Sequence, residues 1–583
     1  MSNILDEKKV PFTHSIGRVM RYIVKEIWAI IISLLLIIIN VVSTVVVPRI
    51  TGYYTDYLKG TTIELQTIIT VAVSILVITL IGDVCLFIEN YILTKAGQRI
   101  IYRLRMEVFA HVQSMSQNQF NEMPVGSLVT RVCSYTSQLT EFFTNTVVRI
   151  IKNLLTVVIV YIFMFTLSWQ LGLILSGVTV LIFLISLFFT KKAREIFAKE
   201  RRELSEINTF LNETLSGMRI VQIFSKEKKF GDDFRKMNHN YFKTKYSVTI
   251  AFSIYRPLLS LINILSVALI IFSGVKFGLT AGTIVSFYFF LNYFFEPIQA
   301  LADELNQISR AITSVEKLFA LLDIEPEVID KEDAIEIEHF NGKIEFRNVW
   351  FAYVGEDYVL KDVSFVINPR ESIAFVGATG SGKTTILGLI VKNFEPQKGD
   401  IFIDDINIKD IKTSSLRKAV GQMMQDVFLF SGSIKDNLTL FDDSFALEEI
   451  DSAAEYVNAK GFIDELPDKY EAKVIERGEN FSSGQRQLLS FARTVLHKPE
   501  IIILDEATAN IDTESEVKIQ EALTKMRNIG TMLVVAHRLS TIQHSDKIFV
   551  LSHGEIIESG NHQSLIKAKG YYYNLYRLQF EEN

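Results

Sequence analysis

The chain has 583 residues, 60 Lys and Arg against 66 Asp and Glu, and 49% hydrophobic residues. That length exceeds a single hydrophobic core, and the slight acidic excess offers no electrostatic footprint for nucleic acid. Cys85 and Cys133 lie too far apart for a metal-ligand pattern or a disulfide framework, and a mean hydropathy of +0.25 fits one apolar half joined to one ordinary half.

The first residues, MSNILDEKKVPFTHS, are polar and mixed in charge, so no cleavable signal is expected there. Trp28–Val47 is an uncharged run of 20 residues, long enough to cross a bilayer as a helix. A second run, Thr67–Ile92, is interrupted by Asp83 and Glu89. Asn153–Phe189 carries no charge and has Ser168-Trp169-Gln170 near its middle, which predicts two spans joined by a tight turn. Pro257–Gly274 is a fifth span and Thr283–Leu301, with Glu296-Pro297 inside it, a sixth.

Basic residues orient the set. Arg18, Arg21 and Lys25 precede the first span, Lys95, Arg99, Arg103 and Arg105 follow the second, and Lys191, Lys192, Arg194, Arg201 and Arg202 follow the fourth. The opposite connections hold little beyond Arg49, Lys59 and Lys276, so the positive-inside rule places both termini and the long connections in the cytoplasm. Those connections, about 97–138 and 191–249, are amphipathic and read as helices continuing out of the membrane.

After Asp323 the sequence EPEVIDKEDAIEIEHFNG is acidic and reads as a linker. From Lys343 short β-rich runs alternate with helical segments, the pattern of an α/β domain with a parallel sheet. The expected organisation is a multi-domain membrane protein. A six-helix all-α transmembrane domain with long cytoplasmic helical extensions (residues 1–322) precedes a linker (323–342) and an α/β P-loop domain (343–583).

Gly377-Ala378-Thr379-Gly380-Ser381-Gly382-Lys383-Thr384 follows the apolar run SIAFV and opens a helix, the context a phosphate-binding loop requires. Its backbone N–H groups can cradle phosphate oxygens, Lys383 can neutralise them, and Thr384 can offer its hydroxyl to Mg²⁺. Thr385 completes the first turn. Ile501–Leu504 is an apolar strand that ends in Asp505 and Glu506, consecutive acids that are costly there unless a cation meets them. Asp505 is placed to hold Mg²⁺, and Glu506 to polarise the water that attacks a γ-phosphate.

With Phe481-Ser482-Ser483-Gly484-Gln485 between these two motifs and Ala536-His537-Arg538 after them, residues 343–583 resemble an ATP-binding-cassette (ABC) domain. FSSGQ corresponds to that family's LSGGQ signature, and six spans ahead of the cassette resemble its type IV exporter half-transporters. The resemblance implies that Tyr353 stacks on adenine, that Gln425 reaches Mg²⁺, and that His537 contacts the γ-phosphate beside the catalytic Glu506. It implies that Asp512 crosses to a partner and that Glu476-Arg477-Gly478 meets coupling helices. It also implies that Ser482, Ser483, Gly484 and Gln485 serve ATP bound on the partner, so that a dimer is required. Coupling helices are expected near 118–126 and 213–224.

Two departures bear on the partner: the first signature glycine is Ser483, and the D-loop reads Ala509-Asn510-Ile511-Asp512. Glutamate and histidine are both kept. This pattern resembles the catalytically competent subunit of a heterodimeric exporter, whose altered signature faces a degenerate site; a homodimer that tolerates serine is the alternative. The expected function is ATP-driven export of amphipathic small molecules, multidrug-type, from a prokaryotic cytoplasmic membrane, with lipid or peptide export as the alternative. The expected cofactors are ATP and Mg²⁺. For the substrate, the aromatic stripe with Phe287, Phe290 and Phe294 could line a pocket, and the intramembrane Asp83 could attract a cation.

Overall fold

The computed structural model describes residues 12–59, 64–424, 426–505, 513–535 and 542–581. They form two compact units: residues 1–113 with 123–324, and residues 114–122 with 325–583.

The first unit is helical. After α1 (Phe12–Val24) come α2 (Ile27–Tyr57) and α3 (Leu65–Ser114); a short α4 (Gln117–Glu122) groups with the second unit. Next are α5 (Val125–Leu167), α6 (Trp169–Ser216), the short α7 (Met218–Ile223), α8 (Glu227–Lys276) and α9 (Ala281–Leu322). Five of these, α2, α3, α5, α6 and α8, are long and apolar enough to cross a membrane. The apolar stretch described in α9 is the shorter Ala281–Phe295. The break expected near Ser168 occurs there, where extended Ser168 caps α6 by accepting from Leu171 N. Helices α3 and α8 have 50 residues each, about 75 Å at 1.5 Å per residue, against a hydrocarbon layer of about 30 Å.

Without water in the hydrocarbon, each backbone polar group needs a protein partner. Pro48, inside α2, has no N–H to give the carbonyl of Thr44 one turn earlier. The Tyr293 hydroxyl on α9 donates to that carbonyl, 3.3 Å away. Close to this point α2 and α9 meet through Gly52 and Gly282, where a Cβ on Gly282 would lie 1.9 Å from the Gly52 carbonyl oxygen. Asp56 also accepts from the Gly282 N–H at 2.8 Å. Helices α6 and α8 are joined by Phe189 stacked on Tyr255 at 3.9 Å and by the Tyr255 hydroxyl on Ser186 at 2.8 Å. Arg18 of α1 lies over Phe319 and hydrogen-bonds to Asp323, which ties the entry helix to the end of α9.

The second unit has two sheets. A four-stranded antiparallel sheet has the order β2-β1-β4-β5, formed by β1 (Ile344–Ala352), β2 (Tyr358–Ile367), β4 (Lys398–Ile403) and β5 (Ile406–Asn407). The six-stranded sheet has the order β12-β11-β3-β10-β9-β6. It contains β3 (Ser372–Val376), β6 (Val420–Met423), β9 (Ile501–Asp505), β10 (Thr531–Val535), β11 (Lys547–Ser552) and β12 (Glu555–Gly560). Strands β3, β10 and β9 are apolar apart from Ser372, Thr531 and Asp505 at their ends, and are buried along nearly their whole length, as parallel strands covered on both faces should be. A pair of two-residue strands, β7 (Gly432–Ser433) and β8 (Lys473–Val474), sits among helices.

The acidic segment read as a linker is bound into this unit along much of its length. Phe340 joins the core, Ile335 bridges Ile411, and Asp330 accepts from Lys392 Nζ at 2.9 Å and from the Thr413 backbone N–H. Lys392 is only 1% exposed and donates also to the Ile411 carbonyl at 2.8 Å. Burial pushes the Asp330 carboxyl up, but hydrogen bonds from Thr413 and Lys392 outweigh it and hold the group below the usual range. A segment with this many acids turns inward because one of them neutralises a buried ammonium.

Removing that partner should leave a buried, uncompensated charge. Asp330→Ala is expected to destabilise the second unit by about 3–5 kcal/mol, and Asp330→Asn, which keeps an acceptor, by less. Calorimetry of the full chain in detergent checks this as a lowered Tm for the corresponding transition. The stabilisation is present above the unfolded carboxylate pKa of about 3.9 and is lost as pH falls below it, so wild type and Asp330→Asn should converge in acid.

Candidate functional site

Parallel pairing brings four strand ends to one edge of the six-stranded sheet. Val535 of β10 is level with Phe375 of β3 on one side and with Asp505 of β9 on the other, and Leu504 is level with Met423 of β6. Adjacent strands lie about 4.8 Å apart, so the Cα atoms of Phe375 and Asp505 are separated by roughly 10 Å. The loop at 377–382 leaves from β3, and Gln425, Glu506 and His537 follow β6, β9 and β10 within two residues. Those three and Asp512 lie outside the described residues. The carboxyl edge of a parallel sheet is where open α/β folds bind ligands.

The loop turns into α10 (Lys383–Ile390) through Gly382, whose φ of +104° is left-handed and whose added Cβ would lie 2.5 Å from Leu360. No other residue type fits both conditions. The loop is open to solvent at Thr379 and Gly380, and its base is closed by buried Ser381 and Lys383. Lys383 Nζ donates to the carbonyls of Gly377 at 2.8 Å and Ala378 at 3.0 Å, so its ammonium lies along the loop's inner wall. The Ser381 hydroxyl is buried with no hydrogen-bond partner among the described residues. On α10, Thr384 is exposed and Thr385 is buried. The Thr385 hydroxyl is 3.0 Å from that of Tyr353. Tyr353 is 42% exposed and is held edge-on by Phe351 and Phe394, so a ring face near the loop is fixed in position. Asp505 is half-buried.

The signature residues start α11 (Ser483–Leu496). Ser482 Oγ accepts from Gln485 N at 3.2 Å while Gln485 Oε1 accepts from Ser482 N at 3.0 Å, a reciprocal cap. The Ser482 hydroxyl therefore keeps its own proton to donate outward. Ser483 is exposed in helical backbone and Gly484 is buried. Serine at 483 displaces nothing within its own chain.

A cavity of about 430 Å³ lies beside this helix start, lined among others by Asp426, Phe428, Arg477 and Arg486. Arg477 has a left-handed φ of +57°, and Arg486 donates to the Phe481 carbonyl at 2.9 Å. Asp426, Phe428 and Arg486 were not singled out from sequence. Their only linear signal is proximity to Gln425 and to the signature.

The segments expected to be coupling helices are placed differently. Around α4, Gln119 donates to the Glu325 carbonyl at 2.7 Å and Ser116 to Glu327 at 2.9 Å, while Phe120 is 37% exposed. The end of α6, one side of α7 and the residue after it present exposed Leu215, Ile220, Ile223 and Phe224, an apolar tip, while Val221 is buried.

In the helical unit, the two acids that interrupt the second apolar run, with Asp83 the candidate cation contact, are placed differently. Glu89 is buried and Asp83 is exposed. Gly82 and Glu89, seven residues apart, share the buried face of α3, and Asp83 is turned about 100° away from Gly82. Phe287, Phe290 and Phe294 are fully buried in the bundle core, with Phe294 edge-on to Tyr161 at 4.8 Å, so their surface is used in packing.

Comparison with known proteins agrees with both units. Residues 30–298 match the ABC transporter transmembrane region and residues 360–509 the ABC transporter family. The chain is 38% identical, over 94% of its length and 92% of the relative's, to the ABC transporter ATP-binding protein YknV of Bacillus subtilis. It is 35% identical, over 84% of its length and 74% of the relative's, to the B. subtilis protein YheH, named as a multidrug resistance ABC transporter ATP-binding/permease protein. It is 32% identical, over 88% and 86%, to the ATP-dependent lipid A-core flippase of Syntrophus aciditrophicus. A chain that joins a helical membrane unit to an α/β nucleotide-binding unit and shares these relatives belongs to the ABC transporters, as an exporter-type half-transporter that couples ATP hydrolysis to transport.

Proposed function

We propose that this chain exports amphipathic small molecules as the catalytically competent half of a dimer, with a different half-transporter as its partner. The observation that carries this reading is the convergence of the 377–384 loop, Asp505 and the strand ends leading to Gln425, Glu506 and His537 at one sheet edge. Backbone N–H groups of the loop and Lys383 bind the phosphates, and Tyr353 offers its exposed ring face to adenine. The donors Thr384, Gln425 and Asp505 are all oxygens, which suits Mg²⁺ bound through few protein ligands and the phosphates. That ion neutralises charge on the phosphate oxygens. Glu506 takes the proton of the attacking water, and His537 orients that water and contacts the γ-phosphate.

The solvent-facing Ser482 and Ser483 support a role toward ATP held by a second chain, because the Ser482 cap leaves its O–H proton available. Asp512 would cross to that chain as well. The apolar tip at 215–224 supports docking into a groove such as the one beside Phe428 and Arg477 on the partner's cassette. The long helices, the basic residues at one set of their ends and a sixth span within α9 support six crossings, cytoplasmic termini and a prokaryotic cytoplasmic membrane. A lipid substrate is the second reading, favoured by relatives named as lipid A-core flippases.

Glu506→Gln is expected to lower ATP hydrolysis by about 10²-fold or more while nucleotide binding persists. Lys383→Ala should weaken binding itself. Hydrolysis assays beside titration with a fluorescent ATP analogue separate the two. Arg219→Glu with Ile220→Asp, both at exposed positions, should abolish substrate-stimulated ATPase and transport in proteoliposomes with basal ATPase within about twofold of wild type; intact coupling would overturn the tip's role. Purification from the native host should bring down a second, different half-transporter. Cooperative ATPase and full transport by this chain alone would overturn the heterodimer.

A further inference from the structure

The helical unit contains a cavity of about 250 Å³ enclosed by α1, α2, α3 and α5, distant in sequence from every residue assigned above to ATP. Its walls are almost wholly apolar, including Ile30, Leu34, Leu93, Ile100 and Val148, and it opens beside exposed Met20. That is the space of roughly eight waters at about 30 Å³ each.

Three polar side chains break the apolar lining: Thr144 of α5, whose hydroxyl donates to the Thr140 carbonyl at 2.9 Å, and, seven residues apart, Glu26 just before α2 and Ser33 within it. At one end is Glu26, buried, and gripped by Arg103 at 3.0 Å and Arg99 at 3.5 Å from the C-terminal half of α3. Two guanidinium groups face one carboxylate, and Arg103 Nη1 is buried with no hydrogen-bond partner among the described residues. The cluster thus has positive charge and a donor to spare. Two helical turns away, about 10 Å, Ser33 faces the cavity, 1% exposed. Although the hydroxyls of Thr146 of α5 and Thr214 of α6 are buried with no partner among the described residues, many Ser and Thr of these helices return their hydroxyls to the carbonyl one turn back, as Thr44, Thr51 and Thr179 do. The Ser33 hydroxyl does not, and it has no partner among the described residues. A buried donor of this kind is costly unless something accepts from it.

We infer that this cavity holds the carbonyl-proximal part of one acyl chain of an anionic glycerophospholipid from the leaflet that meets the basic helix ends, with the phosphate at Arg99 and Arg103 and an ester carbonyl accepting from Ser33. The charge excess selects an anionic head, and the order of features (positive cluster, buried donor, apolar end) matches the order of groups along such a lipid. Moving a chain from bilayer to cavity gains little hydrophobic free energy, because lipid is already apolar. Selectivity must therefore come from the two polar contacts, so headgroup identity decides occupancy.

The test uses the full chain purified in detergent and followed by native mass spectrometry, titrated with phosphatidylglycerol or phosphatidylcholine of identical acyl chains. One phosphatidylglycerol per chain should be retained with about tenfold or greater preference, the scale of one charge-assisted hydrogen bond. Arg99→Gln with Arg103→Gln should collapse the preference to within about twofold, and Ser33→Phe, which fills the cavity, should remove retention of both lipids. Equal retention of the two lipids by wild type, or wild-type selectivity in both variants, would overturn the inference. Should Ser33→Phe not fold, photolabelling with a phosphatidylglycerol carrying a diazirine on its acyl chain close to the ester decides instead. Labels within 33–37 and 93–100 support the site, and labels confined to the exposed face of α3 at Leu76 and Leu80 refute it.

Discussion

Strands β3, β10, β9 and β6 run parallel and finish near one level, and the chemistry of the cassette depends on that register. A slip of one residue at β9 would send Asp505 to the opposite face of the sheet, since successive side chains alternate. The register is held by hydrophobic runs buried on both faces, which no one-residue shift could preserve at their polar ends. Position in the sheet therefore does for the ends of β3, β9 and β10 what no local motif could do, which is to bring segments more than a hundred residues apart to one edge.

The helical unit obeys a different constraint. In lipid the hydrophobic effect gives little reason for one helix to prefer another, and packing rests on close approach and on satisfied polar groups. Gly52 against Gly282 provides the first, and Tyr293 on the carbonyl orphaned by Pro48 the second. The same principle makes the exceptions informative. Ser33 is conspicuous because its hydroxyl has no partner among the described residues while a cavity lies in front of it, which gives the missing acceptor a place to be.

The two units divide the work by surface character. The cassette presents polar groups that are already capped locally, so the backbone of the signature turn is fixed before any partner arrives. The helical unit presents an apolar tip at 215–224 that its own chain does not cover. Both features are surfaces that the proposed second chain would meet. A regulatory or structural lipid beneath α1 would act on the same unit without entering either the ATP site or the route of the exported molecule.

Much of this protein was legible in linear sequence because its strongest constraints are local. Twenty uncharged residues report a span, GxxxxGKT between a strand and a helix reports a phosphate loop, and an apolar run ahead of Asp505 reports a buried strand. Even the break at Ser168 is a local event, a cap interrupting an apolar run. What the sequence could not settle was which side of a helix faces inward and which distant groups meet. Asp83 and Glu89 look alike in a linear reading, and only the packing of α3 buries one and exposes the other. The segment 323–342 reads as linker by composition, yet Lys392, a lysine with no sequence mark of burial, draws Asp330 into the second unit. The aromatic stripe of α9 and the cavity at Ser33 were likewise decided by neighbours from other helices. Burial and pairing are properties of the assembled chain, and tertiary structure alone assigns them.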